Sequence, residues 1–89
     1  MIYVDELRDY GKKGRWCHLW TDGDIEALHT FAARLGLKRQ WFQTTQGISG
    51  PFPHYDLVYT KRVQALQSGA VFMPLKVWIA KQMSAPSDG

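Results

Sequence analysis

The chain is short of cysteine, of long apolar runs and of charge of one sign, and each shortage closes off a class of protein. Cys17 is its single cysteine, so an internal disulfide is impossible and a reducing cytoplasm is the natural setting. No stretch approaches the roughly 20 apolar residues that span a bilayer. The opening MIYVDELRDY puts acids where a secretory signal needs cations and then an apolar run. There is no internal repeat and no low-complexity segment. A soluble, cytoplasmic protein with no membrane segment is expected. The formal net charge is +3, from 11 Lys and Arg against 8 Asp and Glu, and the two signs are interspersed. A nucleic-acid binder would gather its cations on one face, so that class ranks low.

What the sequence does hold is large side chains: four Trp, four Tyr and four Phe in 89 residues, within an apolar fraction of 45%. That is enough to fill the small core of one domain. IYVDEL predicts a strand over 2–5, RDYGKKGR a loop, and WCHLWT a strand over 16–20. TDGDIEALHTFAARLGLK predicts a helix capped by Thr21 or Asp22. Its Ile25, Leu28, Ala32 and Leu35 lie on one face, and Gly36 stops it. RQWFQ reads as a third strand and TTQGISGPFPHYD as a long irregular loop. TKRVQALQSGA reads as a second helix, capped by Thr60 and ended by Gly69. AVFM gives a fourth strand, and PLKVWIAKQM a last helix that tolerates Pro74 in its first turn. The fold class is α/β: a small single domain over 1–83, one sheet of about four strands covered by two or three helices, and a polar tail over 84–89.

The segment HYDLVYTKR draws the eye to a site. Lys61 and Arg62 fall in the first turn of the second helix, where unpaired N–H groups already make a positive end, and each opposes the dipole by roughly 0.3–1 kcal/mol if exposed. An anion bound there, on Thr60, Lys61 and Arg62, would reverse that sign. His54 and Asp56 share a side if the segment is extended, so Asp56 can orient a proton-transfer imidazole. His18 shares a strand face with Trp16 and Trp20. Asp5 ends the first strand, where site carboxylates often sit. His29 lies at the edge of the first helix's buried face. Cys17, in an apolar strand, reads as a buried inert thiol. GKKGR lacks the spacing of a phosphate-binding loop, and no H-x-x-x-H, H-E-x-x-H or C-x-x-C spacing occurs. The three histidines could converge on a divalent metal with Asp5 or Asp56, but without such spacing that reading is not favoured and no metal ligand set is assigned; the cofactor is left unknown.

Taken in order, YVDE, CHLWTD, LHTFAARLGL, WFQ, HYDL and KR resemble a family of short bacterial and phage proteins catalogued as a domain of unknown function. The resemblance runs from Ile2 to about Val71. The family pattern carries two acids after YVD, where this chain has Glu6, a mild departure. The resemblance implies no activity. It implies that Asp5, His18, His29, Trp41, His54, Tyr55, Asp56, Lys61 and Arg62 occupy motif positions.

The favoured function is a site that binds a phosphate-bearing small molecule or nucleotide, with or without hydrolysing it. In that reading His18, His54, Asp56 and Asp5 are the catalytic candidates, Thr60, Lys61 and Arg62 hold the anion, and His29, Trp41 and Tyr55 form the wall. The alternative is a protein-binding module such as a phage-encoded modulator of a host protein, since Trp, Tyr and Arg are favoured interface anchors. A weak nucleic-acid binder is third.

Overall fold

The computed structural model describes residues 1–47 and 50–84. β-branched and aromatic side chains extend the chain as β1 (Ile2–Val4), then a short hairpin joins β2 (Arg8–Asp9) to β3 (Arg15–Thr21). Helix α1 (Ile25–Arg34) follows, then β4 (Gln43–Gly47), β5 (Gly50–Val58), α2 (Tyr59–Gln67), β6 (Val71–Phe72) and α3 (Leu75–Ser84). The sheet runs β4-β5-β3-β1-β6, with β2 also on β3. It is mixed: β1 and β6 are parallel and the other pairs antiparallel. The expected α/β class holds, with six strands and three helices among the described residues.

Two stretches read as irregular are strand. RDYGKKGR contains β2 and a 3₁₀ turn at Gly11–Lys13, and Gly14 closes that turn at φ +86°. The supposed loop over 44–56 belongs to the β4–β5 hairpin, registered from Gln43↔His54 to Gly47↔Gly50. Pro51 and Pro53 disguised it. They sit in the half of β5 that has only β4 beside it, since β3 pairs with residues 55–58, and edge positions tolerate a residue without an N–H. RQWFQ is not a strand: Arg39–Trp41 is a 3₁₀ turn that leads into β4. Ile48, Ser49 and, apart from Ser84, the expected tail lie outside the described residues.

The helix ends follow local chemistry, with two changes of cap. Asp24, not Thr21 or Asp22, caps α1, accepting from the Glu26 N–H at 3.1 Å. Asp22 instead accepts from the Tyr3 hydroxyl. Thr60 lies inside α2, whose N-cap is Val58 with no side-chain hydrogen bond. The stop at Gly36 is as expected. Its φ is +84°, and Gly36 N–H and Leu37 N–H donate back to the Ala33 and Ala32 carbonyls.

Alternation along the strands gives the sheet two different faces. One carries Val4, Cys17, Leu19, Tyr55 and Leu57 and is covered by Leu28 and Ala32 of α1, by Leu35 at its C-cap and by Ala65 of α2. The other carries Tyr3, Asp5, Trp16, His18, Trp20, Phe52, His54 and Asp56. Only part of that second face is covered. Trp78 of α3 packs on Tyr3 and Trp20, with ring centroids 5.5 and 5.6 Å apart. The rest is open.

Candidate functional site

The open half of the second face holds the histidines. His18 on β3 stands directly across from Asp56 on β5 in the strand register. His54, two residues before Asp56, projects on the same side, as an extended segment requires. The His18 and His54 rings lie 5.0 Å apart, edge to face. Donor atoms of His18, His54 and Asp56 all fall within 4.8 Å of one another.

Each imidazole is held by its Nδ1. That of His18 lies 2.7 Å from Asp5 Oδ2, while the His18 backbone N–H donates to Asp5 Oδ1 at 2.6 Å. Asp5 has no solvent exposure, so both oxygens depend on these partners. The His54 Nδ1 lies 2.8 Å from the Phe52 carbonyl. A carbonyl only accepts, so His54 carries its proton on Nδ1. An ionised Asp5 assigns the same tautomer to His18. In the neutral rings both Nε2 atoms are left as electron-pair donors, and protonation of His54 turns its Nε2 into a donor toward Asp56. The His54 Nε2 lies 3.4 Å from Asp56 Oδ1. Gln43 of β4 donates to the other Asp56 oxygen at 2.6 Å.

Burial pushes the His54 imidazole down, but the Asp56 carboxylate and the Phe52 carbonyl outweigh it, and the net displacement is upward. The His54 hydrogen bond, opposed by burial and aided by Gln43, holds the Asp56 carboxyl below its ordinary range. Both directions favour the pair in which His54 is protonated and Asp56 ionised.

A cleft of about 570 Å³ opens above this cluster. Its walls add Tyr10 and Lys13 from the β2–β3 hairpin, Trp16, Gln43 and Thr45. Trp16 is pinned by its indole N–H, which donates to the Lys13 carbonyl. A second hollow of about 560 Å³ shares Trp16, Gln43 and Asp56 with the first and runs past Trp41 to Lys61. The two are neighbours with those three shared residues as common walls.

The remaining candidates lie elsewhere. His29 and Tyr55 are on the core face, where the His29 Nδ1 meets the Tyr55 hydroxyl at 2.6 Å and Phe42 packs against both rings. Of the three histidines, two converge. Trp41 is exposed and walls the second hollow. Lys61 donates to the Leu35 carbonyl, and Arg62 Nε to the Asp5 carbonyl at 2.9 Å while its guanidinium lies over Phe72. These contacts explain why two cations are tolerated in a helix's first turn. Lys61 serves the negative end of α1, and Arg62 ties α2 to the end of β1. Thr60 is exposed. Sequence reasoning missed Gln43, Lys13, Tyr10 and Phe52. A hairpin read over 43–58 would have put Gln43 opposite His54.

No helix among the described residues is long and apolar enough to cross a membrane. The chain belongs to a family of proteins: the one described as "Protein of unknown function (DUF4031)" matches residues 2–84. No curated protein and no solved structure matches it.

Proposed function

We propose that the two hollows together bind a phosphate-bearing small molecule, a nucleotide being the best fit, and that the His18–His54–Asp56 cluster hydrolyses it. The observation that carries this reading is the convergence of two buried or half-buried imidazoles and a carboxylate, each oriented by a second group, under an open cleft. Such oriented sets, with displaced proton affinities, belong to sites of chemistry more often than to plain surface. The pair of hollows suits a two-part ligand. Its polar half lies at the cluster beside Lys13, and its aromatic half lies along Trp16 and Trp41. Lys61, at the start of α2, adds a cation to the wall of the second hollow.

A thermal-shift titration with inorganic phosphate, nucleotides and dinucleotides, with and without divalent ions, tests it. A ligand at 100 times its Kd stabilises the folded state by about 2.7 kcal/mol. Trp41→Ala should weaken a nucleotide but not inorganic phosphate, and Lys13→Ala should weaken both. Phosphate release assays follow from any positive. If no phosphate ester raises the Tm under any ionic condition, the proposal fails.

The protein-module reading draws on one observation. β6 is an edge strand whose Val71 and Phe72 are both exposed. Failure to capture a stoichiometric partner through that edge would remove it.

A further inference from the structure

We infer that His18 Nε2, His54 Nε2 and Asp56 Oδ1 are the ligands of a divalent first-row transition metal, with its remaining coordination positions facing the cleft. This reading rests on the proposed function for its biological use, but not for the binding of the ion.

Four features of the cluster support it. The first is spacing. Ligand atoms about 2.1 Å from a common centre stand roughly 3.0–3.5 Å apart. The His54–Asp56 pair is already at 3.4 Å, and the whole set lies within 4.8 Å, so a small side-chain closure completes it. The second is tautomer. A ligating imidazole offers one nitrogen to the metal and donates its other N–H to a carboxylate or carbonyl, which fixes the ring. Here Asp5 does this for His18 and the Phe52 carbonyl does it for His54. Gln43 holds the non-ligating oxygen of Asp56 in the same way. The third is charge. The Nε2 of His54 and Oδ1 of Asp56 both offer lone pairs to the same space, and Asp5 places a second carboxylate behind them. A bare phosphate entering this cluster meets two acids. A divalent ion reverses that sign and gives an anionic ligand something to bind. The fourth is the open side: three protein ligands beneath a cleft leave room for water and substrate, as catalytic rather than structural sites do.

The donor set selects the ion. Two imidazoles and one carboxylate suit Zn²⁺, Fe²⁺ or Co²⁺, whereas Mg²⁺ and Ca²⁺ prefer all-oxygen shells. The absence of a local spacing motif is no obstacle, because the three ligands come from two paired strands and the register, not a short loop, brings them together.

The test uses the full chain, stripped of metal by a chelator. Co²⁺ is titrated with visible absorption as the readout, and Zn²⁺ by calorimetry. One ion per chain is expected, with Mg²⁺ and Ca²⁺ unable to compete at millimolar concentration. His54→Gln and Asp56→Asn should each weaken binding by about 100-fold or more. Asp5→Asn should weaken it by about 10–100-fold through the orientation of His18. His29→Gln, altered on the other face of the sheet, should leave it unchanged. Circular dichroism confirms that each variant is folded. Should Asp5→Asn fail to fold, His54→Gln and Asp56→Asn carry the test. No Co²⁺ spectrum and no Zn²⁺ heat, or binding indifferent to His54→Gln and Asp56→Asn, overturns the inference. Metal binding without any phosphate ester binding leaves the inference standing and removes the function proposed above. Phosphate ester binding that needs no metal supports that function, and the inference then stands or falls on the Co²⁺ and Zn²⁺ titrations alone.

Discussion

A carboxylate with no solvent exposure needs a partner for each oxygen, and Asp5 finds both in His18, one from the backbone and one from the ring. Cys17, next to His18 in sequence, points the other way. It lies in the core, where burial, with the Asp5 charge behind it, pushes the thiol up to about 12. The thiolate is the reactive species. Folded protein at pH 8 should therefore leave an aromatic disulfide reagent untouched, and colour should develop only on addition of denaturant. Rapid reaction in native buffer would contradict this placement. The neighbours differ so sharply because successive strand residues face opposite sides. That parity was legible in the sequence, and it put His54 with Asp56 and His18 with Trp16 and Trp20. What was not legible is which residue answers which. Asp5 and His18 are 13 positions apart, and only the β1–β3 pairing brings them into contact. His29 looked like the other histidines in composition, yet its helix lies on the far side of the sheet.

Polar contacts between elements tie the helices to the rest of the molecule. Lys61 of α2 reaches the last turn of α1, where its ammonium also lies against Gly36. Lys61→Met keeps the apolar stem and removes the charge. It should cost about 1 kcal/mol in urea denaturation, and a cost indistinguishable from zero would show the contact to be incidental. At the start of α3 the Leu75 N–H donates to Glu6 Oε1 at 3.1 Å. Burial pushes the Glu6 carboxyl up, but that N–H and Arg8 outweigh it, so the net displacement is downward from 4.5. A carboxyl lowered on folding contributes stability that is complete above its unfolded value and lost as pH falls through its folded value. Wild type should thus exceed Glu6→Gln in stability at neutral pH, and the gap should close below about pH 4. A gap that persists at pH 2.5 would exclude the carboxylate as its cause. Gly36 and Gly69 announced the ends of α1 and α2 in the sequence because a left-handed residue is a local requirement. The β4–β5 hairpin was hidden for the same reason: Gly and Pro there look like local punctuation, and only the neighbouring strands decide otherwise.

Across the whole molecule the sheet is closed on one face and half closed on the other. α3 lies over Tyr3 and Trp20, and the histidine cluster occupies what α3 leaves uncovered. Phe52 stands between the two halves, stacked on His54 and tilted against Trp20. Trp78→Ala should therefore destabilise the fold by about 3 kcal/mol while leaving Co²⁺ titration of the folded fraction unchanged. A loss of metal affinity in step with stability would mean that the two halves of the face are not independent. The single strand β5 serves both faces at once: His54 and Asp56 look outward, and Tyr55 and Leu57, between and beyond them, look into the core. Deleting one residue ahead of His54 would exchange the two sets, turning a tyrosine and a leucine to the cleft and burying an imidazole and a carboxylate beneath α1 and α2. The histidine–aspartate cluster and the core are written in the same nine letters, so a lineage could tune this strand by substitution but could not shorten or lengthen it by one without losing both.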